Sequence, residues 1–176
     1  ENISRLSCDS LEDNRLAAYT EKSSRYQIFP PGYYHVPAEL NDHSLLKFYI
    51  EICDRLFALY QELLENTRAY LRTVRPQRES ERDSAYDLRL RREAIDSCRF
   101  ILPASTLTNV GVSINARSLE NAIRKLLSSD LIEENILGEQ LKEQGRKVTP
   151  TLIKYAERNR YLVDTHQAQR AEAIPL

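Results

Sequence analysis

This 176-residue chain predicts an α+β fold, rich in helix and with little strand. Long stretches place apolar residues at three- and four-residue steps, the helical period. Only two short segments read as extended, and they do not alternate with helices in βαβ fashion. With four glycines and neither GxGxxG nor GxxxxGK, Rossmann and P-loop architectures are excluded.

Taken in order, residues 2–19 carry an imperfect helical stripe (Ile3, Leu6, Leu11, Leu16, Ala17) with no Gly or Pro. The pattern changes near Thr20. Tyr26, Ile28 and Phe29 read as an extended piece that is stopped by Pro30-Pro31-Gly32, after which Tyr33 and Tyr34 pack in a loop. The clearest helix runs from about residue 42 or 44 to Thr73, with Leu45, Tyr49, Ile52, Leu56, Tyr60 and Leu63 on one stripe. A helix of that length calls for partner surface from another subunit or domain. Residues 76–84 form a charged linker, and a helix over 85–101 ends at Pro103. Residues 106–114 form a buried or partly buried strand. Helices then cover 117–128 with Ser118 as N-cap, 130–144 ended by Gly145, and 150–161 opened by Pro150. One domain spans 1–162, and the weakly patterned 163–176 reads as a tail or linker.

Hydrophobic residues (41%) and charged ones (29%) are in the range of a soluble globular chain, not a disordered one. The net charge of −1 gives no global attraction to nucleic acid or anionic membrane, and no apolar run is long enough to span a bilayer. Three cysteines without a CxxC pair encode neither a disulfide framework nor a zinc site and suit a reducing cytoplasm. His35, His43 and His166 are scattered, so no metal site is expected. With no Met and an opening at Glu1 inside a helical pattern, the sequence reads as a piece of a longer polypeptide.

Three places gather polar groups. On an extended backbone Glu21, Ser23 and Arg25 would share a face, where a guanidinium and a hydroxyl suit phosphate oxygens; a solvated surface strand is the alternative. Arg99 lies among Cys98, Phe100, Ile101 and Leu102, so it needs a carboxylate partner or an anionic ligand. Asn115-Ala116-Arg117-Ser118-Leu119 opens a helix on which Arg117 and Asn121 share a face, and helix starts are natural anion sites.

In order, these places resemble the flavin-dependent thymidylate synthases, also called thymidylate synthase complementing proteins. Arg15, seven residues, Ser23 and Arg25-Tyr26 match one family motif. Arg99 before Leu102-Pro103, then Thr108 and Asn115-Ala116-Arg117-Ser118-Leu119, match others. The resemblance spans about residues 3–127 and looks closest to a divergent, tandem-domain subgroup. It implies the family fold with a small antiparallel sheet, lacking its N-terminal part. It also implies conversion of dUMP to dTMP, with methylenetetrahydrofolate as carbon donor, reduced FAD as hydride source and NADPH as reductant. The chemistry is flavin-borne, so no catalytic side chain is implied. Ser23, Arg25 and Arg99 would hold the dUMP phosphate, with Glu21 beside the nucleotide. Arg15, Asn115, Arg117 and Asn121 would contact FAD. A homo-oligomer, or pairing with a second homologous domain, goes with it. Where the family has Arg-His-Arg this chain has Asp13-Asn14-Arg15, and Leu126 replaces a later Arg. The alternative is a non-catalytic half that keeps the fold and nucleotide affinity.

Overall fold

The computed structural model describes residues 1–173. In chain order the elements are β1 (Ile3–Ser4), α1 (Arg5–Glu12), β2 (Ala17–Glu21), α2 (Leu46–Val74), α3 (Asp83–Cys98), β3 (Leu107–Thr108), β4 (Val110–Ile114), α4 (Ala116–Leu127), α5 (Ile132–Val148), α6 (Pro150–Ile153) and α7 (Arg160–Ala173). Two two-stranded sheets pair β1 with β3 and β2 with β4. The fold is therefore the helix-rich α+β fold that the sequence predicts. The described residues divide into two compact units: residues 1–21, 37–41 and 108–173, and residues 22–36 and 42–107.

The second of these units is built on α2 and α3. Cys53, Phe57, Tyr60, Leu64 and Leu71 repeat at helical steps and are buried. Phe57, Tyr60, Leu64 and Leu71 meet Leu90, Ala94, Ile95 and Cys98 of α3 in one cluster that also takes in Phe29. Thr67 meets Cys98 (3.4 Å) and Arg72 meets Asp87 (2.7 Å), so the two helices run antiparallel. Pro76 ends α2, because the residue before a proline is pushed out of helical geometry. The charged linker is tied down: Gln77 Nε2 donates to the Glu81 carbonyl (2.7 Å), and Arg89 grips Glu81 through Nε (2.9 Å) and Nη2 (2.8 Å). Pro31-Gly32 makes the expected turn, with Gly32 at φ +74° and Tyr33 N–H donating to the Pro30 carbonyl (3.3 Å). Tyr33 stacks on Phe29, as loop packing predicts.

In the other unit, α4, α5 and α6 enclose Ile123, Leu127, Ile153 and Ala156. β2 and β4 are antiparallel in a register running from Ala17 opposite Ile114 to Glu21 opposite Val110. α1 is anchored by serines at three-residue spacing. Ser4 Oγ (2.5 Å) and Ser7 Oγ (2.8 Å) donate to Glu133, and Ser10 Oγ (2.6 Å) donates to Glu134. Glu39 accepts from Ile132 N–H (2.7 Å), placing an anion at the start of α5.

Several boundaries differ from the sequence reading. The N-terminal helix stops at Glu12, because residues 17–21 pair with β4 instead. Residues 24–26 form a turn, so Glu21, Ser23 and Arg25 do not share an extended strand. The expected strand over 106–114 is split in two, and its middle, 111–113, is exposed. Asn115, not Ser118, caps α4: its Oδ1 accepts from Ser118 N–H (3.0 Å). Gly145 lies buried inside α5, where an added Cβ would meet Leu119 at 3.2 Å, so it serves close packing and not termination. The helix opened by Pro150 ends at Ile153, since a turn there carries both Ile153 and Ala156 into the core. Residues 160–173 form α7, held by buried Val163 and an Arg170–Asp130 ion pair (3.2 Å); positions 174–176 of the expected tail lie outside the described residues.

Candidate functional site

In the α2–α3 unit, Arg25 and Arg99 meet on one atom. Arg99 Nε donates to Asp96 Oδ1 at 3.0 Å, and Arg25 Nε lies 3.3 Å from the same oxygen. Arg99 follows the last turn of α3, so Asp96 sits one turn before it, an (i, i+3) pair. The 24–26 turn delivers Arg25. Its N–H donates to Ser23 Oγ (3.3 Å), while Tyr26 N–H donates to the Ser23 carbonyl (3.4 Å). Arg99 is further fixed by Ser24 Oγ, which accepts from Nη1 (3.1 Å), and by the Phe100 ring 4.7 Å from its guanidinium carbon. Arg99 is thus held along an edge and a face, whereas Arg25 is 61% exposed with a single ion-pair contact. Two guanidiniums against one carboxylate leave one positive charge over. Tyr26 lies alongside, with Arg92 over its ring at 5.2 Å.

The remaining candidates lie in the other unit. Glu21 closes β2, accepts from Thr108 Oγ1 (2.9 Å) and pairs with Arg5. At the opposite end of the β2–β4 ladder, the register joins residues 15–16 to the start of α4. Asn115 Nδ2 donates to the Leu16 carbonyl (3.5 Å). Leu16 is 83% exposed with φ +61°, the left-handed region that β-carbons disfavour. Arg15 and Arg117 flank this corner; both are exposed and enter no ion pair among the described residues. Asn121 is exposed one turn further along α4. Unneutralised guanidiniums beside a helix N-terminus, itself the positive end of the macrodipole, suit a polyanion.

Sequence reasoning missed Ser24, Asp96 and Lys125. The three-residue step from Asp96 to Arg99 was a signal in reach; the Ser24 contact depends on the turn. Lys125 Nζ donates to both the carboxylate (2.9 Å) and the carbonyl (3.0 Å) of Asp13, so the acidic replacement is neutralised locally. Asn14 is buried, with Nδ2 donating to the Leu11 carbonyl (2.8 Å). Leu126 is a core residue, 1% exposed.

The model of the thymidylate synthase complementing protein family matches residues 1–151. The chain belongs to this family. Among curated relatives, a UPF0159 protein of Chlamydia muridarum is 33% identical over 98% of this chain and 34% of its own length. A flavin-dependent thymidylate synthase of Clostridium tetani is 26% identical over 89% of the chain and 60% of its own length. The chain thus spans about a third of the UPF0159 relative. Among solved structures, the UMP/dUMP methylase PolB of Streptomyces cacaoi, bound with 5-Br dUMP, shares the fold, with a TM-score of 0.56 and 18% identity over 87% of this chain and 66% of that one.

Proposed function

We propose that this chain is a nucleotide-binding part of a flavin-dependent thymidylate synthase, converting dUMP to dTMP with methylenetetrahydrofolate as carbon donor. The observation that carries this reading is the convergence of Arg25 and Arg99 on Asp96 Oδ1. Two residues far apart in sequence aim at one anionic oxygen, as a phosphate monoester requires. Their terminal nitrogens and the Ser23–Ser24 hydroxyls would take the dUMP phosphate, with Glu21 toward the nucleotide. Family membership supports the same ligand class.

The residues present also fit a dinucleotide cofactor. Arg15 and Arg117, free of carboxylate partners among the described residues, match the charge of the FAD pyrophosphate, and Asn121 extends the donor set along α4. Asn115 contributes chiefly by fixing the start of α4, since its Oδ1 is spent on the cap. Bound FAD, reduced by NADPH, supplies the hydride; this chain's side chains bind, orient and neutralise charge. A cytoplasmic location and pairing with a second copy or a second homologous domain belong to the same reading. The second reading, a half that binds nucleotide without catalysis, is favoured by the Asp13–Lys125 pair and by Asn14 turned inward.

The test is uptake of FAD, followed by its visible absorption band, together with dUMP affinity. Arg25→Ala or Arg99→Ala should each weaken dUMP binding by roughly 1.5–3 kcal/mol, the worth of a charge-assisted hydrogen bond. Unchanged affinity in both variants removes the phosphate assignment. Protein that binds dUMP but takes up no FAD establishes the non-catalytic reading.

A further inference from the structure

We infer that a cavity lined by α1, α4, α5 and α7 binds a small primary ammonium ion, with Glu134 as its counter-ion. The cavity measures about 190 Å³, and all its lining residues belong to the unit of α4, α5 and α6. That is roughly the volume of six waters, enough for one short organic chain. None of the lining residues is among those proposed for dUMP or FAD, so the inference does not rest on that reading. Glu134 is 6% exposed, yet its one partner among the described residues is Ser10 Oγ, which donates to Oε1 (2.6 Å). Its neighbour Glu133 accepts from Ser4 N–H, Ser4 Oγ and Ser7 Oγ. Glu134 Oε2 has no such donor, and no cation lies within ion-pairing distance among the described residues. A buried carboxylate is costly unless a cation meets it. The first turn of α5 favours the negative charge but brings no counter-charge.

The hydroxyls of the cavity are acceptors as well. Ser10 has given its proton to Glu134 and keeps its lone pairs; Ser129 Oγ takes Leu131 N–H (3.1 Å) and keeps one. With Glu134 Oε2 they offer three acceptors to the three N–H bonds of a primary ammonium. Leu126 and Leu162 line the rest and suit a short aliphatic stem. Asp13 and Lys125, also on the lining, neutralise each other (2.9 Å), and His166 adds no formal charge at pH 7. Glu134 is therefore the charge that the cavity leaves uncompensated. A metal ion is the other cation to weigh, and no group of three His, Cys, Asp or Glu side chains among the described residues could hold one.

The test titrates n-butylammonium chloride into the protein at pH 7, with n-butanol and sodium butyrate at equal ionic strength as controls of the same length. Binding is followed by the leucine methyl signals in NMR. The ammonium should bind saturably and shift the Leu126 and Leu162 signals, with butanol and butyrate weaker by at least about tenfold. Glu134→Gln keeps an acceptor for Ser10 and removes the charge. It should weaken the ammonium by at least about tenfold and erase its preference over butanol. Leu162→Phe fills the cavity and leaves its charges in place, so it should abolish binding while circular dichroism stays native. If either variant unfolds, the other decides. No saturable binding, shifts confined to other leucines, or an ammonium affinity unchanged in Glu134→Gln overturns the inference and makes this a water-filled cavity. dUMP and FAD titrations read other residues, so the proposed function stands or falls separately.

Discussion

At Glu81 both carboxylate oxygens accept from a single guanidinium, that of Arg89, at 2.9 and 2.8 Å. These hydrogen bonds hold the carboxyl well below its ordinary range, down to about 2. A depressed folded-state pKa contributes stability that is present above the unfolded value and is lost as pH falls through the folded one. Acid unfolding of the wild type should therefore steepen between the ordinary carboxylate range and about pH 2. Glu81→Gln should lack that segment, as followed by circular dichroism; superimposable acid curves would exclude a role for the pair. At this scale sequence reading was strongest where chemistry is awkward. Arg99 among apolar neighbours demanded a partner, and it has Asp96. It was weakest where a role depends on a turn: Ser23 was singled out, yet Ser24 holds Arg99 and Ser23 holds the backbone of Arg25. Cys8 is buried, and that burial pushes its thiol up to about 11.

Whether Asn115 or Ser118 caps α4 decides how this family motif is built. If Asn115 is the cap, Asn115→Ala should cost about 1 kcal/mol in a denaturant titration, and Ser118→Ala far less. The reverse order would restore the sequence assignment. The elements that periodicity recovered are those with a long stripe and a short-range stop, α2 above all. Those it misjudged answer to distant partners. Residues 17–21 leave the helical pattern because β4 lies opposite. Gly145 stays within its helix because Leu119 and Ile153 crowd the place of a side chain. α7 has a weak stripe, and a buried valine and one ion pair hold it. None of these partners is visible within a helical turn of the residue concerned.

Among the described residues, buried hydrophobic side chains gather in two clusters, one around Phe57 and Tyr60, the other around Ile123 and Ile153. Phe57 is fully buried, so Phe57→Ala should lower unfolding free energy by about 3–5 kcal/mol, read from denaturant midpoints. A loss below about 1 kcal/mol would mean that the α2–α3 unit is not held by this cluster. Each unit gathers segments that are far apart in the chain, which is why Arg25 and Arg99, both of the α2–α3 unit, stand 74 positions apart in sequence. The serine anchorage of α1 has its own consequence for biosynthesis. Glu133 and Glu134 lie 129, 126 and 124 positions beyond Ser4, Ser7 and Ser10. An eight-residue helix has little stability alone, so α1 finds no resting place during synthesis until the start of α5, more than 120 residues later, has followed it.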